Sequence, residues 1–337
     1  MKISALSRLL ISAWLYASTT AQAGSYLLVD MGVPDGGISS YATGINPDGV
    51  VVGFYSTAAF SQRAYVYSGG VMSDLGTLGG ATSSATAINR HGRIVGFAET
   101  TQGALHAYSY RGDGLKDLDP RYEGSEMAAW ALNGRGEVVG AKGLSSPSMA
   151  FVHHNGVLTE LGTLGGTSSV ANGINDSGQI VGSASTADDV ESHAFVYQNG
   201  TMTDLGTLGG TYSGATGINA SGQIVGYSSM ADESLHAFLF TNGLMQDLGL
   251  LPGHFGCMAW ALNDRGDAVG QCQASLVTHA FIYRKGRMRN LNHLVDDVEA
   301  KGWKLEVAAA INNAGQIVGW GQQKGNRRAF LLIPVAP

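Results

Sequence analysis

Apolar residues in this chain fall in short runs rather than at helical spacing. QIVGYSS at 223–229, LHAFLF at 235–240 and LMQDLG at 244–249 are bounded by Asn, Asp, Ser and Gly. Runs of this length with such punctuation read as strands. Apolar side chains occupy both parities of the first two runs, the pattern of strands packed on both faces. One stretch then reads as strand A at 213–219, a tight turn at 219–222, and strand B at 223–229. Strand C at 235–240 and strand D at 244–249 follow, joined through Asn242-Gly243. Asn-Gly between apolar runs suits a two-residue hairpin, because both turn residues take positive φ.

The same pattern recurs along the chain. An Ile/Leu-Asn-x-x-Gly turn carries Asn46, Asn89, Asn133, Asn175, Asn219, Asn263 and Asn312, and these number the repeats one to seven. An Ala-aromatic pair opens each strand C, and an Asp-Leu-Gly or related triplet ends each strand D. The spacing of about 44 residues lies in the range of propeller blades with four strands each. The chain begins with a D-type strand at 26–31 and ends on a C-type strand at 328–333. The first strand would therefore complete the last repeat. The fold expected is all-β: a seven-bladed β-propeller of four-stranded antiparallel blades, closed by the N-terminal strand and occupying residues 24–337.

Positions that recur in every repeat are most simply structural. Ala or Gly lines strand A, where blades converge. The turn Asn should cap its own turn, with a left-handed Gly three residues on. The Gly seven residues after the Asn marks a close approach in strand B. His106, His193, His236 and His279 share one place at the head of strand C, but Arg63, Met149 and Arg328 hold it elsewhere. A structural hydrogen bond fits that mixture better than a metal ring, and no metal or cofactor is expected. The Gly-Thr-Leu-Gly-Gly stretches at 76–80, 162–166 and 206–210 precede strands rather than helices. They therefore read as connectors, not phosphate loops.

These elements together resemble the HAF family of probable extracellular repeat proteins. The likeness rests on HA[FY], DLGTLGG and INxxGxIVG, and on the C-terminal GWKL, INNAGQIVG and RAFLL runs. It implies a bacterial exported repeat protein and brings no catalytic residue.

Export is also expected from the N-terminus. Lys2 and Arg8, an apolar run at 9–17 and Ala21-Gln22-Ala23 form a secretory signal over residues 1–23. No stretch approaches the roughly 20 apolar residues of a membrane span. The formal net charge of −6 argues against a nucleic-acid partner, and a monomer is expected. Cys257 and Cys272 face each other across strands A and B if Asn263 and Gly266 face each other. A bulge at the glycine would leave them diagonal. A structural disulfide is favoured over two buried thiols.

Candidate chemistry lies where repeats differ. The connectors from D to A share one face with the B-to-C loops, and three stand out: 119–130, 249–260 and 292–306. Trp130 and Trp260 replace the usual Thr of strand A. With Tyr212 and Trp303 they could stack on sugar rings, or the two strand-A tryptophans could pack between blades. Leu294, Val295 and Val298 suggest a short helix whose acidic residues, Asp296 to Glu299, face solvent. The function expected is a non-catalytic module binding a glycan or a protein on the connector face. The alternative is a polysaccharide lyase or glycosidase using Tyr122, Glu123, Glu126, His254, His293 and Asp296. A structural envelope element is the third reading.

Overall fold

The computed structural model describes residues 26–121, 126–144, 147–187, 189–299 and 301–335. The signal region, Tyr122 and Glu123 lie outside them. The repeats fold as four-stranded antiparallel sheets, and among the described residues the one helix is the 3-10 turn Leu291–Leu294. No sheet is closed on itself.

In the fifth repeat strand A is Gly209–Ile218, B is Ile224–Met230, C is Leu235–Thr241 and D is Leu244–Asp247. Strand A thus begins four residues earlier than its polar sequence suggests. Gly209 already pairs with Met230, and the register shifts before Ser213. Gly209 takes φ of 110°, which only glycine adopts readily. The Gly-Thr-Leu-Gly-Gly connector therefore ends inside the sheet.

Each Ala-aromatic pair faces two ways. Ala194 packs with Ala215 and Phe238 of the next sheet, while Phe195 packs back toward Val139 and Ala171. The aromatics Tyr65, Tyr108, Phe151, Phe195, Phe238, Phe281 and Phe330 are all fully buried. Burial of one such ring stabilises by about 1.5–3 kcal/mol. Successive A strands also pack on one another, which explains their Ala and Gly content.

The close approach expected in strand B is a backbone carbonyl. A Cβ on Gly226 would sit 1.9 Å from Gly214 O, and Gly53, Gly96, Gly182 and Gly319 show the same distance to their strand A. The turn asparagines cap as expected and do more. Asn219 Oδ1 accepts from Ser221 N and Gln223 N at 3.2 and 2.9 Å. Its Nδ2 donates to Asn263 O, the next turn, at 3.1 Å. Equivalent bonds run from Asn89 to Asn133, Asn175, Asn219, Asn263 and Asn312, and from Asn312 to Asn46.

Tyr26–Asp30 pairs with Asn326–Pro334, in the register Tyr26↔Pro334 to Asp30↔Phe330. The two ends of the chain thus share one sheet, ordered D, C, B, A as in the other repeats.

Candidate functional site

The histidines at the head of strand C form a clip within their own sheet, not with a neighbouring loop. Asp204 Oδ2 holds His193 Nδ1 at 2.8 Å while its Oδ1 accepts Gly206 N. His106–Asp117 and His236–Asp247 repeat this, and Arg63–Asp74 does so with a guanidinium. The Asp-Leu-Gly triplet is therefore a turn cap and a clip partner together. Among the described residues, no group of three or more His, Cys, Asp or Glu side chains is placed to hold a metal.

The sixth repeat breaks the rule. Asn290 stands where the clip Asp should be and caps the 3-10 turn instead. His279 Nδ1 then meets His254 Nε2 at 2.8 Å, and His254 Nδ1 lies 3.0 Å from Pro252 O. Both ring contacts are satisfied if each imidazole is neutral with its proton on Nδ1. Burial, then the neighbouring His254, pushes the His279 pKa below the ordinary imidazole value. His254 is thus engaged with another ring.

Of the other residues of the catalytic alternative, Tyr122 and Glu123 lie outside the described residues, while His293 is close enough to His279 to help lower its pKa. Glu126 is exposed and precedes Met127–Leu132, which packs against strands of the second and fourth repeats. His254 precedes Gly256–Leu262, which packs against the fifth and seventh. His293 and Asp296 are exposed on the long connector, where Lys301 Nζ reaches the Asp296 carbonyl oxygen at 3.0 Å. That connector holds a 3-10 turn, with Val295 and Val298 buried and the acidic residues in solvent. Trp303 is a correction. It is 5% exposed, edge-on to Phe330 within the core, and cannot offer a surface for stacking.

Trp130 and Trp260 are half-buried at a seam. They occupy the bulged residue of strand A, the place from which Thr86 Oγ1 donates to Ala129 O and Thr216 Oγ1 to Ala259 O. Neither indole makes that bond, and the Nε1 of each is buried with no hydrogen-bond partner among the described residues. Trp130 also packs edge-on against Phe97 at 5.7 Å.

The same bulge decides the cysteines. Gly266 takes φ of 77° and Asn263 pairs with Asp267, which shifts the register by one. The bulge at Trp260 shifts it back, so Cys257 and Cys272 are direct partners and form a disulfide. Cys257 also replaces a recurring serine. Ser213 Oγ accepts from Ala194 N at 2.8 Å and donates to Gly206 O at 2.6 Å, tying two sheets together.

At the seam between the fifth and sixth repeats this tie is gone, and the connector end opens into a cleft of about 540 Å³. The seam before it is bridged by Ser192↔Tyr212, with Tyr212 37% exposed on the rim. Here the bridge is Leu235↔Gly256, so a glycine stands where the tyrosine did. Phe255, 56% exposed, forms one wall. Asp232, Glu233 and Ser234 line the other, with Gln271, Gln273 and Met258 between. Ser234 donates to Asp232 through Oγ and N at 2.6 and 3.0 Å, which lowers the Asp232 pKa and keeps it ionised. Gln273 is fixed by Thr278 Oγ1 at 3.1 Å, whereas the Gln271 amide has no partner among the described residues. Phe255 was visible on a marked connector. Gln271, Gln273 and the acidic Asp232-Glu233 loop carried no signal, because they meet only across two repeats.

No family model matches the sequence, and no curated relative matches it. Solved structures do match. One is a streptogramin B lyase structure, at TM-score 0.60 and 11% identity over 93% of this chain and 100% of that one. A Mycobacterium tuberculosis puromycin-hydrolyzing peptidase matches at 0.59 and 12%, over 93% of this chain and 54% of that one. YCF48 bound to D1 peptide matches at 0.54 and 12%, over 95% and 97%. At such identities the likeness shows the fold alone, which is that of a β-propeller. Among the described residues no helix is long and apolar enough to cross a membrane.

Proposed function

We propose that the chain is an exported seven-bladed propeller of the HAF type. It acts as a non-catalytic module that binds a glycan in the cleft beside Phe255. The exposed aromatic wall facing ionised and amide side chains carries this reading. A sugar ring presents an apolar face to an aromatic and hydroxyls to carboxylates and amides. Ring closure is supported by the asparagine chain that runs on from Asn312 to Asn46. The disulfide suits an oxidising compartment. The lyase and peptidase neighbours are named as enzymes, yet here His254 is engaged with His279, and Glu126 precedes a strand packed on the second and fourth repeats. A peptide ligand is the second reading, favoured by the peptide-bound neighbour.

The test is a glycan array with the wild type and Phe255→Ala. Binding should fall about two- to tenfold in the variant, since stacking of one ring contributes about 0.5–1.5 kcal/mol. Hits that survive Phe255→Ala unchanged, or release of reducing ends from a bound polysaccharide, would overturn the proposal.

A further inference from the structure

A second site is carried by the opposite end of the sixth sheet. In the fourth and fifth repeats the hairpin from C to D reads Gln-Asn-Gly-Thr-Met-Thr-Asp at 198–204 and Thr-Asn-Gly-Leu-Met-Gln-Asp at 241–247. The sixth keeps the Gly and Met but reads Arg284-Lys285-Gly286-Arg287-Met288-Arg289-Asn290. Four positions have become basic and the closing carboxylate has been lost, in a chain whose formal net charge is −6.

The geometry concentrates these charges. Arg284 and Arg287 are direct register partners across the hairpin, and Arg289 lies opposite Ile282. Like charges placed opposite each other in a sheet are destabilising, so the fold gains nothing from this pair. All four basic residues line one cleft of about 530 Å³, with Tyr26, Ile282 and Leu294 as its apolar part. Arg284 is neutralised by Asp267 at 3.0 Å and bonds the Tyr26 hydroxyl at 3.2 Å. Lys285, Arg287 and Arg289 are exposed and have no ion pair among the described residues.

We propose that this cleft binds a phosphate-bearing ligand. Three uncompensated cations call for a group with more than one negative charge. Guanidinium matches phosphate oxygens in bidentate geometry. The phosphate could belong to a small molecule or to a lipid headgroup, and the same chemistry would hold either.

The full chain would be titrated with inorganic pyrophosphate by calorimetry at low salt, and sedimented with vesicles of phosphatidylglycerol in phosphatidylcholine. Saturable pyrophosphate binding identifies a free phosphate group as sufficient, and vesicle binding alone identifies a headgroup. Either should weaken by about tenfold or more in Arg287→Glu/Arg289→Glu, and fall further as salt rises. Thr201→Glu/Thr203→Glu places two carboxylates at the equivalent positions of the fourth hairpin, half the change in charge, and should leave binding unchanged. Both variants alter exposed positions, and matching thermal unfolding would show them folded. Absence of both binding modes in the wild type, or equal loss in the two variants, overturns the proposal.

Discussion

Replacing Asn219 with Ala tests whether the turn asparagines hold the sheets to one another. Asn219 is 4% exposed. Its Oδ1 accepts from Ser221 N, Ser221 Oγ and Gln223 N, and its Nδ2 donates to Gln223 Oε1 and Asn263 O. Ser221 is exposed, so water can replace its share. The bonds lost are those to Gln223 N, which is left without an acceptor, and to the carbonyl of buried Asn263, which keeps its bond from Gly266 N. At roughly 1–1.5 kcal/mol for each of these, with a smaller loss at the turn, the substitution should cost about 2–4 kcal/mol.

An internal control comes from Asn46. Its Oδ1 also caps, accepting from Asp48 N and Val50 N, but its Nδ2 makes no hydrogen bond among the described residues. Asn46→Ala should therefore cost less by about 1 kcal/mol, the value of one such bond. Asn219→Asp keeps the cap but faces a carboxylate with the Asn263 carbonyl. That disfavours ionisation in the folded state, so its deficit should shrink as pH falls toward 4, where the acid regains a donor. Urea unfolding followed by tryptophan fluorescence would measure all three. A cost below 0.5 kcal/mol for Asn219→Ala, or equal costs at both asparagines, would refute the inter-sheet role.

Other outcomes follow from the same structure. Gly226→Ala drives a Cβ to 1.9 Å from Gly214 O and should cost more than about 4 kcal/mol or prevent folding. Gly249→Ala meets open space at φ of 76° and should cost only about 1–2 kcal/mol in the same unfolding assay. Removing the disulfide with Cys257→Ala/Cys272→Ala opens a loop with a sequence separation of 15. It should lower stability by about 2–3 kcal/mol while leaving the circular-dichroism spectrum unchanged. Burial, together with Arg93 beside His153 and His254 beside His279, lowers both imidazole pKa values. Below about 6.5 the unfolded chain takes up these protons more readily. Stability should then fall as pH drops from 7 to 5, and His279→Gln should flatten the urea-midpoint profile.

The repeat made most of the fold legible. Asn, Gly and the Ala-aromatic pair recur because a cap, a carbonyl contact and a two-sided core recur. What periodicity could not convey was register. The strand A bulge is filled by Thr43, Thr86, Asn172, Thr216, Ala309 and two tryptophans, and a Thr present in fewer than half of the repeats does not announce a bulge. The hydrogen bonds between asparagines were equally hidden, since each joins residues about 44 apart in different repeats. The site was half visible. Phe255 could be marked as a departure, but Gln271 and Gln273 become neighbours of Asp232 only when two sheets meet.

Departures in the sixth repeat form a coherent set. Gly256, where the fifth repeat has Tyr212, leaves the connector end of a seam open, and Cys257 stands where a serine ties four other seams. Both changes weaken the hold between the fifth and sixth sheets. The disulfide between Cys257 and Cys272 pins strands A and B of the sixth sheet at the level where the tie was lost. The parallel bridge Leu235↔Gly256 keeps the two sheets in register. Opening a cleft in a propeller costs inter-sheet contacts, and a crosslink inside one sheet offsets that cost without refilling the space. The disulfide and the cleft are on this argument one device. Cys257→Ala/Cys272→Ala should accordingly weaken ligand binding at Phe255 more than Asn219→Ala does at equal loss of stability.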